Sequence, residues 1–488
     1  MPKWPRNPSI LEINTWVWVS DLSRKYGAFL NLASIPSSEW QAVAELGFDA
    51  VWLMGVWERS PAGVAISNAS RPLLDSFRNA LPDFHTADNV GSAYCVRRYV
   101  VDSRLGGRGA LEVARRELAQ RGMRLVLDFV PNHVAPDHPW TIEHPEYFIR
   151  GDASEAERDP DSFLTVAGSV FARGRDPYFP AWPDVLQLNA FHPGYRQAAH
   201  DTVAYIASQC DGVRCDMAML MLNAIVSRTW GSRAGAPPPA EYWPDLVAAV
   251  RAAHPDFVFI AEAYWDLEWE LQQQGFDFCY DKRLYDRLHG DPENVRLHLC
   301  ASLEFQEKLV RFVENHDEPR AAAVFSPQQQ RAIAVTIATL PGARLFHEGQ
   351  MEGRRVRVPV FLGRRPDESP DEELRAFYGK LLGAIRDPVF HEGQWRLCER
   401  TGWPDNASFR NILTWTWRNG DDRRLIVVNL SGSTSQARVE VPWDDVGGRA
   451  WTLTDTLSGE VFERDGNEMR WPGLYVSLGP WGFHFFVL

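Results

Sequence analysis

Apolar segments that suit buried β-strands alternate with amphipathic helical segments over most of the chain. The apolar segments are rich in aromatic and β-branched residues: FDAVWLMGVW (48–57), MRLVLDFV (123–130), DGVRCDM (211–217) and DFVFIAEAYW (256–265). Each of them follows a segment with the apolar spacing of a helix: Ser37–Leu46, Ala110–Arg121, Tyr195–Ser208 and Tyr242–Ala253. Strands that are apolar on both faces, with helices between them, predict a parallel sheet covered by helices.

The number of these units favours a closed barrel. The runs LEINTWVWV (11–19), LVRFVEN (309–315) and ARLFHEG (343–349) bring the strand–helix units to six or seven. An open, doubly wound sheet would need a glycine-rich phosphate-binding turn after its first strand, and none follows Val19. We therefore predict an α/β fold, a (β/α)8 TIM barrel.

Two stretches break the alternation. Residues 134–189 lose helical spacing and are rich in Pro, Asp, Gly and aromatics, and they are too long for an ordinary loop after a strand. From residue 396, short alternating runs such as RLIVVNL and FHFFVL predict an antiparallel β-sandwich. The predicted domains are a barrel at 1–133 and 190–395, an insertion after its third strand at 134–189, and a C-terminal β-sandwich at 396–488.

Composition narrows the possible partners. The 488-residue chain has a formal net charge of -13 and no basic stripe, so we expect no nucleic-acid partner. Its twenty tryptophans suit stacking on sugar rings as well as core packing. No apolar run is long enough to cross a membrane, the first residues lack the apolar stretch of a signal peptide, and the six cysteines have no metal-like spacing. We therefore expect a cytoplasmic protein without a membrane partner, a cofactor or a metal.

Acidic and imidazole side chains, with an asparagine and an arginine beside them, lie where four of the apolar runs end. These residues are Asp128, Asn132 and His133; Arg214 and Asp216; Glu262; and Glu314, His316 and Asp317. The carboxyl ends of barrel strands converge on one mouth, where buried carboxylates are costly unless chemistry or counter-charges require them. Arg214 precedes Asp216 by two residues in a strand, so it points to the same side and is placed to keep that carboxylate ionised.

Hydrolysis of a glycoside with retention matches this set of residues. The reaction needs one carboxylate as nucleophile and a second as proton donor to the leaving oxygen. A further negative group stabilises an oxocarbenium-like transition state, and histidines hydrogen-bond sugar hydroxyls. Arg214 would keep Asp216 anionic, whereas a more enclosed Glu262 would keep its proton. We therefore predict Asp216 as nucleophile and Glu262 as general acid/base.

The four segments also resemble, in order, the conserved regions of the α-amylase family of glycoside hydrolases (family 13), with the subfamily left open. DFVPNH is similar to the first region, GVRCDM to the second, IAEAYW to the third and ENHDEPR to the fourth. GSAYCVRRYVVD around Tyr94 and DVLQLN before Phe191 resemble two further segments of that family. The resemblance implies an inserted domain B, a C-terminal β-sandwich (domain C), and double displacement on α-glucosidic bonds.

The resemblance also assigns roles to individual residues. It implies that Asp216 is the nucleophile, Glu262 the acid/base and Asp317 the transition-state stabiliser. It also implies which residues contact the sugar on the donor side of the cleaved bond. These residues are Tyr94, His133, Arg214 and His316. Asp128 matches a supporting acid near the arginine.

Departures from the family pattern point to short substrates. Starch-degrading members carry a Lys-His pair where this chain has Met219 and Leu220. The segment DHPW (137–140) resembles members that act on short oligosaccharides or sucrose, or else it is a loop packed by Trp140. We therefore expect malto-oligosaccharides, short α-glucans or sucrose-like donors. A structural calcium ion would use Asn132 and Asn189, but Asn189 is uncharged and calcium prefers charged oxygen ligands.

Three alternatives stay open. A phosphorylase of the same family would use phosphate as acceptor, and Arg354, Arg355 and Arg357 are candidates to bind it. A catalytically silent sugar-binding barrel would have the same fold without turnover. A metal-dependent barrel hydrolase or deaminase would need several histidine ligands, whereas His133 and His316 each lie inside the motifs above. The oligomeric state is left open.

Overall fold

In the computed structural model, which describes residues 3–488, eight parallel strands close into a barrel. The strands are Ser9–Asn14, Ala50–Met54, Arg124–Phe129, Gly212–Cys215, Val258–Ala261, Phe278–Tyr280, Leu309–Arg311 and Ala343–His347. Neighbours in space are neighbours in sequence, and the eighth strand closes the barrel by pairing with the first. The predicted (β/α)8 fold is confirmed.

The strands are apolar throughout because both of their faces are buried. On the first two strands, Ile10 and Trp52 point into the barrel, whereas Leu11, Val51 and Leu53 pack against the surrounding helices. This two-residue alternation divides every strand between an inner and an outer core. The strands are therefore continuous apolar runs rather than alternating ones.

A shell of helices covers the barrel. Its longer members are Thr15–Tyr26, Ser37–Glu45, Gly107–Gln120, Pro193–Ala207, Asn223–Trp230, Trp243–Ala253, Pro292–Leu299, Pro327–Thr339 and Glu372–Ile385. Its shorter members are Glu268–Gln273, Lys282–Arg287, Leu303–Glu307, Ala321–Val324 and Pro388–Glu392. No helix within residues 3–488 is long and apolar enough to span a membrane.

Two local predictions were wrong. The strand predicted through Val19 ends at Asn14, whose side chain accepts a hydrogen bond from the Val17 amide and so caps the helix Thr15–Tyr26. The aromatic and β-branched residues of this helix are apolar enough to look like a strand, but they are buried on a helical face. The sixth barrel strand was missed because Phe278–Tyr280 has only three residues, which is too short for any periodicity.

Two excursions rise from the carboxyl end of the barrel. In the predicted insertion, strands His133–Val134 and Leu186–Gln187 pair at its base, and Phe163–Val166 pairs with Ser169–Ala172. Two short helices accompany them, Trp140–Glu143 and Ala153–Arg158. A second excursion, not predicted from the sequence, follows the second barrel strand and contains Trp57–Arg59, Pro61–Ala69, Arg71–Ala80 and Val96–Val101.

The C-terminal part consists of antiparallel sheets. A six-stranded sheet contains Gln394–Leu397, Ile412–Asn419, Asp422–Asn429, Phe483–Val487, Ala450–Asp455 and Val461–Asp465. A three-stranded sheet contains Arg400–Thr401, Ser435–Val439 and Leu474–Leu478. The larger sheet also packs on the barrel shell, where Trp417 Nε1 donates a hydrogen bond of 2.6 Å to the Thr339 carbonyl. The exact domain boundaries stay a prediction.

Candidate active site

A cavity of about 390 Å³ lies at the carboxyl end of the barrel strands. Among the residues that line it are Tyr94, His133, Asp216, Glu262 and Asp317. The structure therefore brings these five predicted site residues together from five separate segments of the chain.

The other three predicted site residues are buried behind that lining. Arg214 contacts Asp216 and Glu262, His316 contacts Asp317, and Asp128 lies 3.8 Å from Arg214. All eight predicted site residues thus belong to one connected cluster.

The barrel backbone positions the two central carboxylates. Asp216 and Glu262 are each the first residue after their strand. The Asp216 amide donates to the Phe129 carbonyl at 2.8 Å, and the Glu262 amide donates to the Cys215 carbonyl at 3.1 Å. These hydrogen bonds extend the parallel ladder past the strand ends, so both side chains are anchored to the most rigid part of the fold.

Arg214 bridges the two carboxylates. Its Nη1 lies 2.7 Å from Asp216 Oδ1, and its Nη2 lies 2.8 Å from Glu262 Oε2. The guanidinium is buried among the rings of Trp52 and Tyr94, with its central carbon 5.3 Å and 5.1 Å from their centroids. A planar guanidinium contacts two carboxylates in fixed directions, which a lysine ammonium does not.

The electrostatics favour protonation of both carboxylates. Burial raises the pKa of Asp216 to about 6, although Arg214 opposes the shift. Burial also raises the pKa of Glu262, to about 7, again against the effect of Arg214. The two groups titrate together, so the pKa values belong to the pair rather than to either residue. Arg214 does not bring the pKa of Asp216 below its ordinary value.

Both oxygens of Glu262 have partners. The Met217 amide donates to Oε2 at 2.6 Å, and the Tyr264 hydroxyl donates to Oε1 at 2.9 Å. Met217 has a left-handed backbone with φ 44°, which turns the chain after Asp216 towards Glu262. Tyr264 was not predicted, because an aromatic residue just after an apolar strand is typical of core packing. Its position two residues after Glu262 is the one signal that could have indicated it.

Asp317 is the most acidic carboxylate of the cavity, and its side chain is 43% exposed. Desolvation by the surrounding protein would raise its pKa, but His316 and Arg214 outweigh that effect and lower the pKa to about 2. His316 Nε2 lies 2.9 Å from Asp317 Oδ2 and 2.7 Å from the Tyr94 hydroxyl. On its other side, His316 Nδ1 contacts the buried Glu12, which was not predicted.

The insertion forms one wall of the cavity. Phe179, Trp182 and Asp184 line it, and the ring of Trp182 lies 5.0 Å from that of His133. Burial lowers the pKa of His133 to about 3, so its imidazole is neutral at physiological pH. The wall residues were not predicted individually, because the insertion has no regular spacing from which to infer side-chain directions.

The residues expected at a calcium site do not fit that ion. Asn132 Oδ1 accepts a hydrogen bond of 2.8 Å from Gln187 Nε2, and Asn132 Nδ2 donates to Gln187 Oε1. Asn189 Oδ1 accepts from the Phe191 amide. These are neutral amides paired within the protein, whereas calcium prefers charged oxygens. Within residues 3–488, no group of three or more His, Cys, Asp or Glu residues could hold a metal ion.

Two departures from the family pattern are now located. Met219 and Leu220 are 0% and 3% exposed, so they pack in the core and do not face the cavity. Trp140 packs edge-on against Tyr147 and Tyr195, which supports the interpretation of the 137–140 segment as a packed loop.

The fold and the site define a (β/α)8-barrel protein with a carboxylate cluster at the mouth. Residues 37–275 match the family model described as "Alpha amylase, catalytic domain". This match covers just under half of the chain, and it agrees with the resemblance of the four motifs to the α-amylase family of glycoside hydrolases.

Curated relatives agree with this match. Alpha-amylase MalA of Haloarcula japonica is 26% identical over 433 residues, which cover 85% of this chain and 54% of MalA. An alpha-1,4-glucan:maltose-1-phosphate maltosyltransferase of Picrophilus torridus is 21% identical over 400 residues, covering 77% of this chain and 56% of the relative. The chain spans about half the length of these curated relatives.

The fold extends the likeness to the whole chain. The maltogenic alpha-amylase AmyB of Thermotoga neapolitana superposes with a TM-score of 0.70 at 17% identity, covering 99% of each chain. An alpha-amylase of Lactobacillus plantarum superposes with a TM-score of 0.68 at 19% identity, covering 99% of each chain. At this identity the likeness concerns the fold.

Proposed function

We propose that this protein cleaves α-glucosidic bonds with retention and transfers the glycosyl group to water or to a sugar hydroxyl. The observation that carries the proposal is the bridge that Arg214 makes between Asp216 and Glu262. It holds at one mouth two buried carboxyls with raised pKa values, one in the position of a nucleophile and the other in that of a proton donor.

The geometry suits a double displacement. Asp216 attacks the anomeric carbon while Glu262 gives its proton to the departing oxygen, so the C–O bond breaks and a glycosyl ester forms on Asp216. Glu262, now ionised, takes a proton from an incoming water or sugar hydroxyl, whose oxygen displaces Asp216. Asp317, ionised beside His316, accepts hydrogen bonds from ring hydroxyls and stabilises the positive charge of the transition state.

We propose malto-oligosaccharides, short α-glucans or sucrose-like molecules as donors. The names of the relatives point to α-1,4-linked glucans. Short chains are favoured because Met219 and Leu220, at the positions of the Lys-His pair of starch-degrading members, are buried in the core. The acidic net charge of -13 supports our further proposal that the protein has no nucleic-acid partner. We also propose a cytoplasmic enzyme with no membrane partner and no cofactor.

The alternatives have less support. Two of the arginines suggested for phosphate are engaged elsewhere, because Arg354 and Arg355 donate to the main-chain carbonyls of Glu368 and Ala322. Arg357 alone of the three lies beside the site, where it donates to the main-chain carbonyl of Asp317. A silent barrel is less well supported because Asp216 and Glu262 are both buried at one mouth with raised pKa values, which is typical of functional sites. A metal-dependent reaction would need converging histidines, whereas His133 contacts Asn132 and Trp182, away from His316.

Time-resolved proton NMR of the anomeric region tests the proposal. Purified protein is mixed with maltotetraose or sucrose, with and without phosphate. We expect the released sugar to appear first as the α-anomer, and longer oligosaccharides, free glucose or glucose 1-phosphate to identify the acceptor. Release of the β-anomer would contradict retention, and no turnover of any α-glucoside would contradict the function.

Asp216→Ala is the matched variant for this assay. It removes the proposed nucleophile, so we expect turnover to fall by about 10⁴-fold or more. Circular dichroism should show the wild-type fold. Undiminished activity would remove Asp216 from the role of nucleophile.

A further inference from the structure

Glu12 is a buried carboxylate inside the barrel, and it lies outside the four motifs that resemble the conserved regions of the α-amylase family. It lies on the first strand, Ser9–Asn14, two residues after Ile10, whose side chain belongs to the inner core. Because side chains alternate along a strand, Glu12 shares this inward direction. Its exposure is 0%, and its Oε2 has no hydrogen-bond partner within residues 3–488. A carboxylate in such a place is costly unless a partner requires it.

His316 is that partner. Its Nδ1 lies 2.5 Å from Glu12 Oε1, and its Nε2 lies 2.9 Å from Asp317 Oδ2. The imidazole therefore stands between two carboxylates, one on each ring nitrogen. A neutral imidazole has one N–H. With that hydrogen towards Glu12, Nε2 would accept a hydrogen bond from the Tyr94 hydroxyl, and its lone pair would also face Asp317 Oδ2 at 2.9 Å. An imidazolium instead places one N–H on the side of each carboxylate.

The surroundings of the ring keep it in this orientation. The Tyr94 ring stacks on it at 5.3 Å, and Trp52 from the second strand meets it edge-on at 5.6 Å. The Tyr94 hydroxyl also lies 2.7 Å from Nε2. The ring is 3% exposed, so its protonation depends on the protein groups around it rather than on water.

We propose that Glu12 is a positioning residue that keeps His316 doubly protonated and thereby holds Asp317 ionised and correctly oriented at the mouth. Glu12 does not reach the substrate and acts through His316. This inference rests on the proposed function for the role of Asp317, but the state of His316 is measurable without turnover.

The pH dependence follows from the charges that face His316. Those in contact are Glu12 from the first strand, Tyr94 from the second excursion and Asp317 from its own loop. Asp128 on the third strand also interacts with the ring. Arg214 on the fourth strand lies against the ring of Tyr94, as does His316.

Burial lowers the pKa of His316, but Asp317 and Glu12 outweigh it and raise that pKa well above its ordinary value. Removal of the Glu12 charge therefore lowers the pKa, and His316 then loses its proton at a lower pH.

Glu12→Gln tests the proposal by kinetics. The amide keeps the size of the side chain but not its charge. In the wild type Glu262, with the lower pKa, sets the alkaline limb of the kcat/KM profile. When the pKa of His316 falls to that of Glu262 or below, deprotonation of His316 sets the limb instead. We therefore expect the limb to move to lower pH, with a loss of about 10²-fold above it, because a misaligned reacting group costs on that order. Glu12→Asp keeps the charge and should restore part of the activity.

Asp455→Asn is the matched control. Asp455 is a buried carboxylate whose Oδ2 lies 2.8 Å from His484 Nδ1, in the C-terminal sheets. The same carboxyl-to-amide change there should leave the kcat/KM profile as in the wild type. An equal shift in both variants would show a general effect of stability and would overturn the proposal.

NMR of protein labelled with ¹⁵N at histidine reads the state of His316 directly. The His316→Gln variant identifies its signals among the 13 histidines. We expect both ring nitrogens of the wild type to stay protonated through neutral pH, and those of Glu12→Gln to titrate there. A neutral His316 in the wild type would overturn the proposal even if Glu12→Gln did not fold.

The two proposals fail in different ways. A wild type that turns over no α-glucoside contradicts the proposed function and leaves the NMR test intact. An active wild type whose His316 signals and alkaline limb are unchanged by Glu12→Gln contradicts the role of Glu12.

Discussion

Two groups of buried carboxylates at the same end of the barrel ionise in opposite ways. At the cavity, burial raises the pKa of Asp216 to about 6 and that of Glu262 to about 7. Behind the ends of the seventh and eighth strands, burial is outweighed by Arg365, and the pKa of Glu348 is lowered to about 2. The pKa of Glu314 is also below its ordinary value because Arg320 and His347 outweigh its burial.

The two groups of carboxylates differ in the number of positively charged side chains that contact them. Within residues 3–488, Glu314 pairs with Arg320 at 2.6 Å, and Glu348 pairs with Arg365. At the cavity, Arg214 is the one arginine or lysine of residues 3–488 within 4 Å of Asp128, Asp216 and Glu262. Similar burial therefore stabilises the fold where Glu314 and Glu348 pair with two different arginines, and it leaves a proton available where three acids share one.

Arg214→Lys tests the carboxylates at the cavity. It should reduce catalysis more than any change at Glu314 or Glu348. A lysine ammonium is a point charge and does not bridge Asp216 and Glu262 at once. The pKa of Asp216 should rise, so the acid limb of kcat/KM should move above about pH 6. We expect kcat/KM to fall by about 10²-fold at the optimum. An acid limb that does not move would show that Arg214 does not set the ionisation of Asp216.

Arg365→Met breaks the paired side of the comparison. It leaves Glu348 and Asp21 without their buried partner, and loss of one member of a buried pair costs about 3–5 kcal/mol. Denaturant unfolding should show this loss at neutral pH, while the pH limbs of kcat/KM stay in place. The double variant with Glu348→Gln should be less destabilised than Arg365→Met alone.

The pH dependence of stability gives a second measurement of that pair. The pKa of Glu348 is lowered on folding, so its contribution is present above the ordinary glutamate value of 4.5 and is lost as pH falls towards about 2. Glu348→Gln should remove that part of the acid-induced loss of stability. An unchanged slope between these pH values would contradict the pairing.

The sequence was sufficient for the barrel and for the carboxylates that end its strands. Asp216 and Glu262 follow apolar runs that are long enough to identify, and strand ends meet at one mouth whatever the loops do. Asp317 follows a run of the same kind and was found in the same way. These predictions depend on local order along the chain.

Glu12, whose contact depends on closure of the barrel, was missed. It lies 304 positions from His316, which was predicted. The two meet because the first strand pairs with the eighth, which pairs with the seventh strand that precedes His316. Trp182 reaches the cavity from an insertion without periodicity, so nothing in the sequence sets the direction of its side chain. Long-range contacts of this kind are decided by the tertiary fold rather than by local patterns.

Tyr264→Phe should have the smallest effect. It removes a single hydroxyl group that contacts Glu262 and tests how that contact changes the pKa of Glu262. The Tyr264 hydroxyl donates to Glu262 Oε1, and a donor to a carboxylate favours its ionised form. Its loss should raise the pKa of Glu262 above about 7 and move the alkaline limb of kcat/KM to higher pH. Arg214 still contacts Glu262 in this variant, so only one hydrogen bond is lost. We therefore expect kcat/KM at the optimum to fall by about 10-fold, the order of one hydrogen bond to a charged group. An alkaline limb that moves to lower pH would mean that the Tyr264 hydroxyl stabilises the protonated form of Glu262 instead. Arg214 would then be the main group that lowers the pKa of Glu262.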